Sequence, residues 1–224
     1  MVLKFYYDFI SQPCRSLYIL LKLTNTPFQA YPVNLLKGEQ LSEDFKEKCS
    51  KFQKVPVIHD GNFRLTESVS ILRYLAREYS IDDHWYPKES KEQARIDEFL
   101  EWQHLNLRLN CLTFFRTTWI LPLKTGVHPT EEKVSGDKKA LLKSLTDFDQ
   151  LFLGDGLFIH GNQISYSDIH AACEIEQPKF GGYDPREDYP RIKSWLDNVE
   201  KACNPYYAEA HEFLNKVAKE NEDT

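Results

Sequence analysis

Along the first 78 residues, apolar positions fall into short runs that alternate between strand-like and helix-like spacing. Leu3 to Tyr7 is a short, aromatic-rich strand candidate. Gln12 to Thr24 carries Leu17, Ile19, Leu20, Leu21 and Leu23, enough for a helix with a buried face. Pro13 then falls in its first turn, where a missing N–H is harmless. Phe28 to Val33 predicts a second strand, and Ser42 to Cys49 a short polar helix capped by Ser42. Val55 to Ile58 and Phe63 to Leu65 bracket Asp60-Gly61-Asn62, a hairpin signal. From Glu67 to Glu78, Val69, Leu72 and Leu75 recur every three residues with Ile71 beside them, predicting a third helix. The order is β-α-β-α-β-β-α.

Beyond residue 78 the texture changes. Residues 79–90 are polar, aromatic and without period, which suits a linker held by a few anchoring side chains. Lys91 to about Leu121 predicts one long helix through Ile96, Phe99, Leu100, Leu107 and Phe114, ending at Pro122. Thr130 to Phe152 predicts another, stopped by Gly154-Asp155-Gly156. Ser167–Glu176, Tyr189–Cys203 and Pro205–Ala218 supply three more. Ser165-x-x-Asp168 has the form of a capping box, a structural feature. The expected architecture is an α/β domain over 1–78, a linker over 79–90 and an all-α domain over 91–224.

Composition narrows the class. The 224 residues, 42% apolar and 13% aromatic, suffice for two packed domains. No window approaches the roughly 18 consecutive apolar residues of a membrane span, and no signal-peptide pattern opens the chain, so the cytoplasm is the expected address. Net charge is −6, with Lys and Arg scattered among acids, which argues against a nucleic-acid partner. Cys14, Cys49, Cys111, Cys173 and Cys203 form no paired spacing and read as free thiols. The seven histidines form no ligand motif, so no metal site is expected.

Six motifs then fall in order: SQPCRS at 11–16, NLLKGEQLS at 34–42, KVPV at 54–57, LTESVSILRYL at 65–75, DHWYP at 83–87 and EWQHLNLR at 101–108. Together they resemble the cytosolic glutathione transferases, and within them the theta class. The resemblance implies a thioredoxin-like first domain and a helical-bundle second domain. It also implies a homodimer using glutathione as cosubstrate, with no permanently bound cofactor. The expected reaction joins the glutathione thiol to small hydrophobic electrophiles such as halides or epoxides, with peroxides as a further class.

Such an enzyme must keep a thiol ionised. A free thiol titrates at about 8.5, so lowering it by about two units needs roughly 2.7 kcal/mol. One hydrogen bond to the charged sulfur contributes about 1.5–3 kcal/mol, and a helix N-terminus about 0.3–1 kcal/mol more. Ser11, just before the first helix, is where the family carries its catalytic serine. It would donate to the thiolate and attack nothing, so it needs no triad. By itself Ser11 also reads as a helix N-cap. The family pattern implies a cis peptide before Pro56 and pairing of the Val55 backbone with glutathione. Glu67 and Ser68 would hold the γ-glutamyl end, and Lys54 and Gln40 the glycyl carboxylate, with Leu41 beside them. Gln40 stands where many theta enzymes have histidine. His104, Arg108, Cys111, Leu112 and Phe115, at spacings of three and four, are the expected electrophile wall. Arg108 would face a developing anionic leaving group. Arg15 would bond around the serine loop or bridge the domains.

Two rivals stay open. Cys14, one turn into the first helix, could act as a glutaredoxin-like nucleophile in a thiol transferase or dehydroascorbate reductase, or pack as a small hydrophobe. The fold could also serve a non-catalytic ligand-binding protein. The polar segment Lys216–Thr224 suggests an open site.

Overall fold

The computed structural model describes residues 2–222, with Glu222 by its backbone alone. Four strands form one sheet in the order β2-β1-β3-β4: β1 Leu3–Tyr7, β2 Phe28–Pro32, β3 Val57–Asp60 and β4 Phe63–Thr66. β1 runs parallel to β2, with Leu3 beside Phe28, and antiparallel to β3, with Phe5 beside Ile58. The β3–β4 hairpin pairs Ile58 with Leu65. Alternation puts Leu3 and Phe5 in the core while Val2 and Lys4 face out. Helices α1 (Gln12–Leu23), α2 (Glu43–Lys48) and α3 (Ser68–Glu78) complete the thioredoxin-like domain. The Ser42 hydroxyl caps α2 by accepting from the Phe45 N–H.

α1 is buried on every side from Gln12 to Leu21, because it lies between the sheet domain and the helical one. A helix enclosed all round has no solvent face to give away its orientation, which is why its polar residues Arg15 and Ser16 are also buried. In the linker, Trp85 and Tyr86 are buried, and the Tyr86 hydroxyl donates to Asp97 at 2.9 Å.

The helical domain holds α4 (Ser90–Trp102), α5 (Leu107–Phe115), a π-helical turn Arg116–Ile120, α6 (Leu121–Thr125), α7 (Glu131–Phe152), α8 (Tyr166–Glu176), α9 (Pro190–Cys203) and α10 (Tyr206–Glu222). The single helix expected over 91–121 is therefore two. The Asn106 side-chain amide donates to the Trp102 carbonyl at 2.7 Å, and residues 103–106 leave the helical path. Asparagine competes with the helix backbone in this way, and apolar periodicity does not register it. Pro122 does not end the helical path either. It sits in the first turn of α6, where no N–H is needed, and the stop comes at Gly126 with φ +69°.

One core spans both domains, joining Phe5, Leu17 and Ile71 to Phe99, Phe148, Ile169 and Trp195. At the head of α8, the Asp168 carboxylate accepts from the Ser165 N–H, the Ile159 N–H and the Trp195 indole N–H, at 2.9, 2.8 and 3.0 Å. It ties a loop and α9 to the helix start, so the Ser165/Asp168 pair is structural. Among the described residues no helix is long and apolar enough to cross a membrane. Asp223 and Thr224, the end of the expected polar segment, lie outside the described residues.

Candidate functional site

The β1–α1 turn and the loop after β2 are held together by one carboxylate. Asp8 Oδ1 accepts from the Ile10 N–H and Oδ2 from the Leu35 N–H, both at 2.9 Å. This turn presents Ser11 at the N-cap of α1 in an extended conformation, where its carbonyl accepts from the Cys14 and Arg15 N–H groups. The Ser11 hydroxyl makes no capping bond. It lines a cavity of about 270 Å³ that the two domains share.

The sheet-domain wall of that cavity includes Ile10, Gln12, Leu36, Gln40, Gln53, Lys54 and Val55. The Val55–Pro56 peptide is cis, as expected; a second cis peptide, Asn204–Pro205, lies far along the chain. Gln53, with φ +50°, donates from its side chain to the Leu41 carbonyl at 2.9 Å, joining the loop after β2 to the loop before β3. Leu41 itself is exposed and contributes that carbonyl, not its side chain. Two side-chain atoms on this wall, Gln12 Nε2 and Gln40 Oε1, are buried without a hydrogen-bond partner among the described residues.

The helical wall consists of Arg108, Leu112, Phe115, Arg116, Ile120 and Lys124. Arg108 Nη1 donates to Glu174 Oε1, a fully buried carboxylate on α8. Burial pushes Glu174 above the usual carboxylate range and Arg108 pulls it back. Burial would lower Arg108, but the Glu174 charge holds it above its ordinary value. Behind Ser11, Arg15 is fully buried and bridges the domains: it donates to the Phe9 and Cys173 carbonyls at 2.7 and 2.8 Å and to Gln177 Oε1 at 2.6 Å. Gln177 Nε2 returns a bond to the Ile10 carbonyl at 3.0 Å.

The glutathione S-transferase N-terminal domain model matches residues 1–77, and the C-terminal domain model matches residues 112–202. Mouse glutathione S-transferase theta-1 is 40% identical over 218 residues, covering 97% of this chain and 90% of the relative. The chain belongs to the glutathione S-transferase family. Human glutathione S-transferase T1-1, solved in its apo form, superposes with a TM-score of 0.92 at 36% identity, covering 97% of this chain and 91% of that one. Human glutathione transferase theta-2, solved with glutathione and an unknown ligand, gives a TM-score of 0.91 at 33% identity, covering 97% and 89%.

In this glutathione transferase the two nucleophile-like residues of SQPCRS are separated by environment. Cys14 is completely buried, and burial pushes its thiol up to about 12, outweighing the lowering influence of neighbouring Ser11. A thiol at that value holds almost no thiolate at neutral pH. Ser11 is open to the cavity. Glu67 and Ser68 sit at the β4–α3 junction, off the cavity lining, although Glu67 is near enough to act on the Arg108 charge. Glu67, with φ +67°, takes the N-cap place of α3 without a side-chain cap bond, and Thr66 remains in β4.

The five residues expected on the electrophile wall divide. Arg108, Leu112 and Phe115 line the cavity, whereas His104 is exposed in the α4–α5 break and Cys111 is completely buried in the core. Gln12, Gln53, Arg116, Ile120 and Lys124 are cavity residues that motif reading missed. Gln12 lay inside the quoted SQPCRS motif; the others carry no local signal. A groove of about 580 Å³ lined by Tyr7, Phe9, Val33 and Phe213 shares Ile10 and Leu36 with the cavity. Its two carboxylates, Asp8 and Glu39, both accept from backbone N–H groups, so the smaller cavity holds the candidate chemistry. An anion set against Ser11 meets a hydroxyl donor and the positive end of α1 together.

Proposed function

We propose that this glutathione transferase joins the glutathione thiol to small hydrophobic electrophiles, with Ser11 holding the sulfur as thiolate. The supporting observation is the Ser11 hydroxyl, free of capping duty, at the head of α1 on a cavity shared by both domains. In this reading residues 1–78 bind glutathione and residues 91–224 shape the electrophile half, with 79–90 as linker. The Val55 backbone pairs with the cysteinyl unit. Lys54 and Gln40 take the glycyl carboxylate beside Leu41, and Glu67 and Ser68 the γ-glutamyl end. Leu112 and Phe115 face the electrophile.

The thiolate sulfur attacks the electrophilic carbon, the C–S bond forms as the C–halide bond breaks, and the halide leaves with the bonding pair. Ser11 keeps its own proton and donates a hydrogen bond throughout. Arg108, tethered to Glu174, stands on the wall where leaving-group charge would develop. No metal enters this scheme, and among the described residues no group of three His, Cys, Asp or Glu is placed to hold one. The same reading puts the protein in the cytoplasm as a homodimer. Exposed Phe52, Phe63, Leu105 and Leu109 supply apolar surface for a second copy, and light scattering tests that state.

The deciding experiment is Ser11→Ala assayed against a panel of halides, epoxides and hydroperoxides. Losing one hydrogen bond to a charged sulfur predicts a fall in kcat of about 10- to 100-fold, with glutathione KM little changed. Undiminished turnover in that variant would remove Ser11 from the mechanism.

A further inference from the structure

The cavity is cationic in an acidic protein. The chain carries a net charge of −6, yet Lys54, Arg108, Arg116 and Lys124 line this one space and, among the described residues, no Asp or Glu does. Arg108 is committed to Glu174, and Lys54 stands on the sheet-domain wall among the residues assigned to glutathione. That leaves Arg116 and Lys124 on the helical wall. Both are exposed, and neither makes an ion pair or side-chain hydrogen bond with any described residue.

Their placement depends on the π-helical turn. Leu112, Arg116, Ile120 and Lys124 recur every four residues and all line the cavity. In a regular α-helix each step of four drifts by about 40°, so three steps would carry Lys124 about 120° away from Leu112. The turn Arg116–Ile120 closes i→i+5 and so holds one residue more than an α-turn, which absorbs most of that drift. Gly181 packs against this turn so closely that an added Cβ would run into the Thr118 side chain, so the helical domain is shaped to accommodate it. The apolar residues Leu112, Phe115 and Ile120 thus alternate with two cations along one wall.

We propose that Arg116 and Lys124 form a recognition site for a negatively charged group retained by the electrophile, such as a carboxylate on an aryl or alkyl halide. The inference rests on the conjugation reading above and adds its substrate class. The hydrophobic part lies on Leu112 and Phe115. The thiolate displaces halide from the reacting carbon, and the carboxylate stays on the product, held by the Arg116 fork and the Lys124 ammonium.

The test compares 4-(chloromethyl)benzoate with its methyl ester, in the wild-type chain and in Arg116→Gln/Lys124→Gln. The ratio of kcat/KM for acid over ester should fall about tenfold in the double variant, the size of one charge-assisted hydrogen bond at a partly solvated site. The wild-type preference should also shrink with added salt. Because both substrates meet the same protein, partial misfolding lowers both rates and leaves the ratio intact. Calorimetry of S-(4-carboxybenzyl)glutathione and its methyl ester gives a second reading without turnover: the acid should bind the wild type about tenfold more tightly, and the variant equally. An unchanged acid-to-ester ratio in rate and affinity overturns the proposal, as does a rise in glutathione KM equal to the loss for the acid. If neither substrate is turned over while the acid product still binds selectively, the conjugation reading fails and the charge site stands.

Discussion

The sheet-domain wall and the helical wall of the cavity are built by different means. On the sheet side, backbone geometry does the placing: Asp8 ties two loops through their N–H groups, Gln53 ties one of these, the loop after β2, to a third through a carbonyl, and Ser11 follows from the turn that starts α1. On the helical side, the long Arg108 side chain is held by a buried partner on another helix, Glu174, while behind Ser11 a second clamp, Arg15 of α1 on Gln177, ties the two domains together. A wall made of backbone turns is encoded locally, so short motifs reveal it. A clamp between distant helices is encoded by residues 66 positions apart in Arg108–Glu174 and 162 apart in Arg15–Gln177, and no short window of sequence contains both halves.

Breaking the clamps should therefore hurt most. Arg108→Leu leaves Glu174 buried alone and should destabilise the fold by about 3–5 kcal/mol near neutral pH, measured by urea unfolding. Burial already raises Glu174. Without Arg108 it should rise further and favour the protonated form in the fold. That contribution is full below the unfolded value and lost as pH rises through the folded one, so the deficit should shrink on acidification. Arg15→Met removes the donor from two carbonyls and Gln177 Oε1 and should cost about 3 kcal/mol. Gln177→Leu should cost less, and the double variant less than the sum, because the pair shares one bond. Additive losses would show that the two walls are not coupled through this clamp.

The smallest effect expected is a pH effect behind the sheet wall. His170 on α8 is buried, with Nδ1 3.1 Å from Ser16 Oγ of α1. Burial, then the Arg108 and His104 charges, lower its pKa to about 3. Between the unfolded value near 6.5 and that folded value the unfolded chain binds the extra proton. This stabilisation is complete above about pH 6.5 and declines as pH falls. At pH 5 the loss is on the order of 1–2 kcal/mol. His170→Asn should flatten that part of the stability profile, and His211, likewise lowered to about 3 chiefly by burial, accounts for a further share. An unaltered profile in the variant would place the acid sensitivity elsewhere.

Legibility followed the same division. The β-α-β-α-β-β-α order, the Ser42 cap and the Ser165/Asp168 pair were readable because each depends on neighbours within a few residues. Two of the five residues expected on the helical wall lie elsewhere: His104 falls in the break between α4 and α5, where one continuous helical period does not hold, and Cys111, within α5, turns into the core, a choice of face that spacing alone does not make. Asn106 bonding back to Trp102 resets the helix phase there. The π-turn resets it again ten residues later, bringing Arg116, Ile120 and Lys124 to the cavity.

By itself the sequence determined the elements of the first domain and their order, the family resemblance and Ser11 at the head of α1, all of which follow from local spacing, capping and contiguous motifs. Tertiary structure alone decided that Cys14 is enclosed, that Arg15 is a buried clamp, and which residues of the second domain face Ser11. Burial and side-chain direction depend on what packs across from a residue, and across this cavity the partner always comes from the other half of the chain.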